Sequence, residues 1–433
     1  MVDHANSPVS KSERDAVYRK AAWRLLPLLC LCLVAAYLDR VNVGFAKLQM
    51  MEDLSFSNTV YGIGAGIFFL GYVLFEVPSN IYLHKLGARV WIARIMITWG
   101  VIGGAMAFVQ TATQFYILRF LLGVAEAGFI PGAFYFLACW FPAAWRGRII
   151  ALLLSALPLS SIMGGPLSGW IMVSFADMGG LRGWQWLFLI ETTPSLLLGW
   201  VVLRYLVDNP SQAPWLNPAE KQIINDDLAR EGALKQAHTS VKSAFTSPLV
   251  WQLSLAYFCI ASSIYVSIFW MPTLIKQHGE TDVMRIGMLT AVPYLVAIAA
   301  MYLCNTSADR RGERRWHTAV PGFLTAVGLA LSGMHFDSLF VTMCALTLAA
   351  ASASASQAAF WSVPPAFLSG AAAAAGFALI NSLGNLAGFV STAAVGWIAD
   401  LTGNPQNSLV MFSGLAALGA LLILRLPARL INH

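Results

Sequence analysis

The stretch from Ala35 to Lys47, AAYLDRVNVGFAK, decides the fold, because it sets two charges inside a segment that otherwise reads as apolar. The apolar run begins near Leu25, so Asp39 and Arg40 lie more than halfway along a helix long enough to cross a bilayer. A charge near the bilayer centre costs roughly 3 kcal/mol or more and normally faces a partner or a wet cavity. Neighbouring helical residues point about 100° apart, so the two charges cannot simply absorb each other. One is expected to pair with another helix while the other looks into a cavity. The dipeptide is the first sign that the chain moves something charged.

Composition agrees with a membrane setting. The 433 residues are 58% hydrophobic and 11% charged, with a mean hydropathy of +0.66, against about 25% charged in soluble domains. A formal net charge of +6 does not imply nucleic acid, because the basic residues follow membrane topology rather than form one patch. Residues 1–24 are polar, and the run after them has no small-residue cleavage pattern, so no removable signal peptide is expected. Six scattered cysteines show no metal or redox spacing and are expected to be reduced packing residues.

Working outward from the first run, hydropathy gives twelve spans at about 25–46, 61–83, 90–109, 114–137, 147–175, 184–206, 249–271, 285–303, 318–335, 339–360, 366–397 and 408–426. The polar segment 207–248 divides them six and six, and within it a short amphipathic helix is expected from Pro218. The expected units are a 1–24 cytoplasmic segment, a 25–206 bundle, the 207–248 linker, a 249–426 bundle and a 427–433 tail. If the amino terminus is cytoplasmic, inside segments hold 21 Lys and Arg and outside segments only four, Lys47, Arg182, Lys276 and Arg285. Such a bias places both termini in the cytoplasm, here beneath a bacterial inner membrane. HKLGARVW from His84 and ADRRGERRW from Ala308 share a basic-Gly-basic turn about half a chain apart. GGPLSG from Gly164 and GNLAGF from Gly384 match in the same sense. Two six-helix halves in parallel repeat, with a site between them near the midplane, is a transporter architecture.

These residues resemble the major facilitator superfamily. Asp309, Arg310 and Gly312 keep the core of its short loop motif in the second half, while in the first half His84 stands where the family has Asp and Arg89 remains. YILRFLLGVAEAG, with Arg119 and Gly123, is similar to the fourth-helix motif, and IMGGPLSG to the fifth. The resemblance narrows to the anion:cation symporter family through YLDRVNVGFA, GYVLFEVPSN, RFLLGVAEAGFIPG, GWQWLFLIE and ALINSLGNLAG, which span nearly the whole chain. It implies an all-α fold of twelve transmembrane helices, carriage of small organic anions such as tartrate, sugar acids or phthalate, and protons as coupling ions without a further cofactor. The texture is most similar to bacterial tartrate and related dicarboxylate carriers. A protein of this kind is expected to act as a monomer in the lipid bilayer, with no nucleic-acid partner, no metal and no enzymatic reaction.

Arg119 and Glu126 are seven apart in the fourth span and share a face. Asp39 is expected to pair with Arg119 across helices, leaving Arg40 to grip a substrate carboxylate bidentately. The resemblance places Asp39, Arg119 and Glu126 in proton coupling and Arg40 in anion binding. The alternative is an ion-pair cluster that only fixes helix packing. Tyr37 and Tyr72 offer hydroxyls from the first half, and Asn381 and Asn385 share a face of span eleven. The resemblance puts Trp361 and Asn381 at the substrate; the alternative for Asn385 is interhelical hydrogen bonding. Glu76 in FEVPSN is expected to gate, together with Arg89, Asp309, Arg310 and Gly312, whereas Glu191 in LFLIETTPS is expected to be structural. Gly62, Gly64 and Gly66 lack phosphate-loop spacing and read as close-packing positions. Gly164, Gly165 and Pro166 are expected to bend span five. Rival readings are an uncoupled facilitator or anion exchanger on the same fold, and a transporter-like nutrient sensor. Residues 1–24 and 427–433 are short for the extension a sensor would carry.

Overall fold

A computed structural model describes residues 10–234, 245–334, 336–366 and 370–432. Position 335, the expected end of span nine, residues 367–369 of span eleven, and Lys235 and Lys242 of the linker lie outside the described residues. Among the described residues, eleven helices are long and apolar enough to cross a membrane. The twelfth, Arg315–Ser332, opens with Arg315, Trp316 and His317 and is only 18 residues long, which lowers its apolarity. It nevertheless packs between spans ten and twelve, where the repeat requires it. No strand occurs among the described residues.

Span one runs Lys11–Asp53, 43 residues, or about 65 Å at 1.5 Å per residue. Residues 11–24 of the polar segment are therefore helix. Ser10 and Glu13 close a reciprocal capping box that starts it. The protruding turns dock on the linker helix Pro218–Leu234. Lys20 pairs with Glu220 at 2.8 Å, and the Tyr18 hydroxyl donates to Asp227 at 3.0 Å. Arg146 pairs with Glu231 at 3.1 Å, so the front of the linker belongs to the first half.

Each half is fastened by the residue that follows its sixth helix. The third span, Ala88–Ala105, starts at Gly87, whose φ of +86° and lack of a side chain give it no cap of its own. Asp208, just past span six (Gly183–Tyr205), accepts from the Arg89 amide at 2.8 Å instead. In the second half, Gly312 ends span eight (Val283–Arg311) at φ +59°. Asn432, past span twelve (Asn407–Leu424), accepts from the Arg314 amide at 2.9 Å and the Arg315 amide at 3.3 Å. Orphan helix amides are thus satisfied from a distance in both halves, by the same construction.

Between the halves, span two (Asn58–Leu86) packs on span eleven (Gly370–Thr402), and span five on span eight. A Cβ at Gly62 or Gly66 would run into the backbone of span eleven at Thr392 or Phe389, and one at Gly165 into the Gly287 carbonyl. These glycines are contact points. Span five breaks at Ser155, between Ala143–Leu154 and Ala156–Ser174, rather than at Gly164–Pro166, which lie within continuous helix. The halves close at the end opposite the termini. There Asp400 accepts from the Asn58 and Thr59 amides at 3.0 and 2.7 Å. The Tyr61 hydroxyl donates to Phe269 O at 3.0 Å, and Lys276 donates to Leu48 O at 3.0 Å. Lys47 is 4% exposed and sits 3.4 Å from the centroid of the Trp270 ring and 4.6 Å from that of Tyr61. Toward the end carrying the termini, the last polar link between spanning helices of the two halves is Asn381 to Glu76 at 3.5 Å, among the described residues.

Candidate functional site

The centre of the molecule is built on the discontinuity of span four. Its first helix, Ala112–Glu126, stops because Ala127 turns to ψ 128° and Gly128 to φ +89°. The carbonyl freed there accepts from Ser79 Oγ at 2.6 Å, and Trp91 Nε1 donates to the same Ser79 Oγ at 2.9 Å. Glu126 therefore stands on the last turn of a helix, beside unsatisfied carbonyls whose partial negative charge disfavours a carboxylate. A cation offsets this: Arg40 of span one donates to Glu126 in a buried ion pair.

This pairing corrects the expected one. Asp39 does not meet Arg119. Its Oδ2 accepts from Trp99 Nε1 at 2.6 Å and from Ser195 Oγ at 2.8 Å. Arg119, fully buried, donates to the carbonyls of Gly64 at 3.2 Å and Ala65 at 3.0 Å. Arg40 is thus held by a carboxylate rather than left open. Both guanidiniums lie against the face of one ring, Phe68, at 5.2 Å for Arg40 and 5.1 Å for Arg119. The spacing of seven did bring Arg119 and Glu126 to one buried face, but Phe68 separates their partners. A sequence pattern sees which residues share a helix face; it does not see which rotamer a guanidinium takes.

Tyr37 and Tyr72 stand around Arg40, with ring centroids 6.0 and 5.6 Å from the guanidinium. The second half faces this group with Tyr265, whose hydroxyl donates to Asn385 Oδ1 at 3.2 Å and whose ring packs on Phe69 at 4.5 Å. Asn381 reaches Glu76. Trp361 packs edge-on against Tyr257 at 4.9 Å, and Gln357 donates to the Tyr257 hydroxyl at 3.0 Å. The structure therefore brings together Tyr37, Arg40, Tyr72, Glu76 and Glu126 from one half with Asn381 and Asn385 from the other, while Trp361 keeps its ring contacts to Tyr257, Phe360 and Phe377 of the second half. Asp39 and Arg119 lie just behind. The remaining residues of the expected gate lie apart from this centre. The Arg89 side chain, Asp309 and Arg310 are exposed at the end that carries the termini, with Gly312 in the adjoining turn.

Sequence reasoning missed Tyr257, Tyr265 and Gln357. A signal for Tyr265 was present: the interval separating the paired turn glycines Gly87 and Gly312 also separates Arg40 from Tyr265. The repeat thus sets a tyrosine opposite the arginine. All six cysteines are free, and no cluster of three or more His, Cys, Asp and Glu fit for a metal ion occurs among the described residues.

The sequence profile described as Major Facilitator Superfamily matches residues 29–392. A putative metabolite transport protein, NicT, of Pseudomonas putida is 49% identical over 99% of this chain and 99% of its own. A putative tartrate transporter of Agrobacterium vitis is 48% identical over 94% of this chain and 90% of its own. Among solved structures, a partially occluded inward open conformation of the xylose transporter XylE from E. coli has a TM-score of 0.73 at 14% identity, covering 93% of this chain and 97% of that one. At that identity the likeness speaks for the fold alone.

Proposed function

The chain belongs to the major facilitator superfamily, whose transporters rather than enzymes it resembles throughout, and from that premise we propose that it imports a small organic anion together with protons by alternating access. The observation that carries the reading is the buried Arg40–Glu126 pair, ringed by tyrosines, on a broken helix between the two halves. A substrate carboxylate competes with Glu126 for the same guanidinium, to which either presents two oxygens. Once displaced, Glu126 sits at a helix carboxyl end with no counter-charge and takes up a proton. Anion and proton then bind cooperatively, and reciprocity of linkage makes each raise the affinity for the other. Asp39 and Arg119 support this centre from behind, and Asn381, Asn385 and Trp361 supply the facing wall. A tartrate-like dicarboxylate is the favoured cargo, on the printed description of the Agrobacterium relative.

With both termini in the cytoplasm of a bacterial inner membrane, the closed end is the outer one, and the described state faces inward. The glycine contacts of spans two and five with spans eleven and eight are the surfaces on which the halves rock, as one monomer. A second reading, an uncoupled facilitator or exchanger, draws on the fact that Arg40 and Glu126 already satisfy each other. Uptake of radiolabelled tartrate, galactarate and phthalate into proteoliposomes separates the two. Accumulation above equilibrium only under an inward proton gradient supports symport, and gradient-blind equilibration favours the facilitator.

A further inference from the structure

Of the four Lys and Arg residues expected at the end opposite the termini, three are accounted for. Arg182 pairs with Asp53 and Asp177 at 3.8 and 3.2 Å, Arg285 with Glu280 and Asp282 at 3.9 and 3.7 Å, and Lys276 donates to Leu48 O. Lys47 of span one is the exception. Its ammonium is buried and donates to no acceptor among the described residues. The ring of Trp270, from span seven (Pro248–Gln277), covers it, and Tyr61 flanks it. Asp400 of span eleven is the one charged group acting on it among the described residues, and that carboxylate is already engaged by the Asn58 and Thr59 amides. Enclosing a cation without a hydrogen bond is costly, and a well-packed apolar side chain would close this end more stably. The closed state therefore gives the charge no task.

We propose that Lys47 is a receiving site for the substrate carboxylate in the outward-open state, the first cation the anion meets before Arg40, and that the Trp270 ring takes the anion's place on the ammonium when the outer end closes. The proposal deepens the import reading and rests on its assignment of the closed end to the outside. Lys47 follows Arg40 by seven residues, so the two share a face of span one, about 10 Å apart along its axis. That face is turned toward span seven, which sets Tyr265 near Arg40 and Trp270 over Lys47. Trp270 and Asp400 both belong to the second half, so they leave Lys47 together when the halves part at this end. Lys47 is then a bare ammonium on the wall of a water-filled cleft, with Tyr61 of its own half beside it. A compact ammonium on a flexible stem holds a carboxylate as a point charge, whereas the planar guanidinium deeper in the cleft holds it bidentately. The anion therefore passes from the first to the second. Closure needs the carboxylate gone from Lys47, because the Trp270 ring and an anion cannot occupy the same side of the ammonium. The outer end thus shuts over a cargo that has moved inward and stays open around one that has not.

The test reads the two faces of the full chain separately. In right-side-out membrane vesicles, Lys47→Met should raise the KM for radiolabelled tartrate by about tenfold or more. In inside-out vesicles the same variant should leave KM within about twofold of wild type, and Lys47→Arg should recover most of the outer affinity. A lysine that serves only as a latch predicts the opposite sign, since loosening a latch populates the outward-open state and lowers the outer KM. Trp270→Leu, which loosens the end while keeping the ammonium, should lower it. An unchanged or lowered outer KM in Lys47→Met overturns the proposal, as does an equal rise on both faces. A second measurement needs no cargo. In Thr273→Cys, one turn beyond Trp270, right-side-out vesicles are treated with an anionic and with a cationic thiosulfonate, and labelling at that position is read by mass spectrometry. Adding Lys47→Met should lower the anionic-to-cationic labelling ratio by about fivefold, and an unchanged ratio overturns the proposal. Failure of the wild type to move tartrate, galactarate or phthalate would refute the transport reading while a Lys47-dependent ratio still marks the anion site, so the two failures are distinguishable.

Discussion

Replacing Glu126 by Gln should tighten anion binding while abolishing proton-driven accumulation. In the wild type, an incoming carboxylate must displace Glu126 from Arg40, which is 7% exposed. Stripping a buried ion of its partner costs about 3–5 kcal/mol. The Gln carbonyl still accepts one hydrogen bond from the guanidinium, which returns about 1–2 kcal/mol. Roughly 2–3 kcal/mol of unmet demand therefore remains on Arg40 in the variant, for the substrate to satisfy. At 1.4 kcal/mol per tenfold, the anion should bind about 30- to 140-fold more tightly. The unliganded variant should also melt earlier and recover on adding anion. Calorimetric titration with whichever of the three test anions the wild type transports, at pH 6 and pH 8, reads both effects. Affinity should depend on pH in the wild type and lose most of that dependence in the variant. Equal or weaker binding by the variant, together with retained uphill uptake, would refute the competition.

Three further outcomes follow from the geometry. Trp270→Leu removes the ring over Lys47; losing a desolvated cation–π contact of about 1–2 kcal/mol should raise labelling of a cysteine placed at Thr273, at the closed end of the molecule, by up to about thirtyfold, and unchanged labelling would clear Trp270 of a role in closure. Gly165→Leu drives a side chain into the Gly287 carbonyl and Thr290, so transport should fall at least tenfold with expression retained, and near-normal uptake would mean that the helices need no close approach there. At the start of span nine, burial pushes the Glu313 carboxyl up, but hydrogen bonds from the Trp316 amide, His317 and Asn432 outweigh it and hold the group below its ordinary 4.5. Its contribution to stability is then complete above about pH 4.5 and is lost as the pH falls through the lowered folded value. Melting curves of Glu313→Gln should accordingly flatten toward acid relative to wild type, and parallel curves would remove the linkage.

Much of the architecture was legible because membrane helices must be apolar and long. Hydropathy located most spans within several residues of the helices, and the paired turns at Gly87 and Gly312 disclosed the halves. Span one was read too short, since hydropathy stops at Leu25 whereas the Ser10–Glu13 capping box starts the helix in water. The site was legible as a set of residues and not as a set of pairs. Asp39 and Arg119 were expected to pair because opposite charges at equal depth attract. The structure gives Asp39 to Trp99 and Ser195, and turns Arg119 toward carbonyls bared by Gly64 and Ala65. Those neutral partners carry no charge signal for a sequence reader.

The long-range caps at Asp208 and Asn432 bear on how the chain is made. Helix three takes its amino-end cap from Asp208, past helix six, and helix nine shares its capping between the neighbouring Glu313 and Asn432, past helix twelve. During synthesis, when amino-terminal units fold first, helix three waits with bare amides until residue 208 has left the ribosome, and then the first six helices lock as a completed block. The second block repeats the schedule, with Asn432, past helix twelve, closing onto the Arg314 and Arg315 amides. Coexpressed fragments divided after Asp208 should therefore reassemble, whereas fragments divided just before it leave the first block without its clasp.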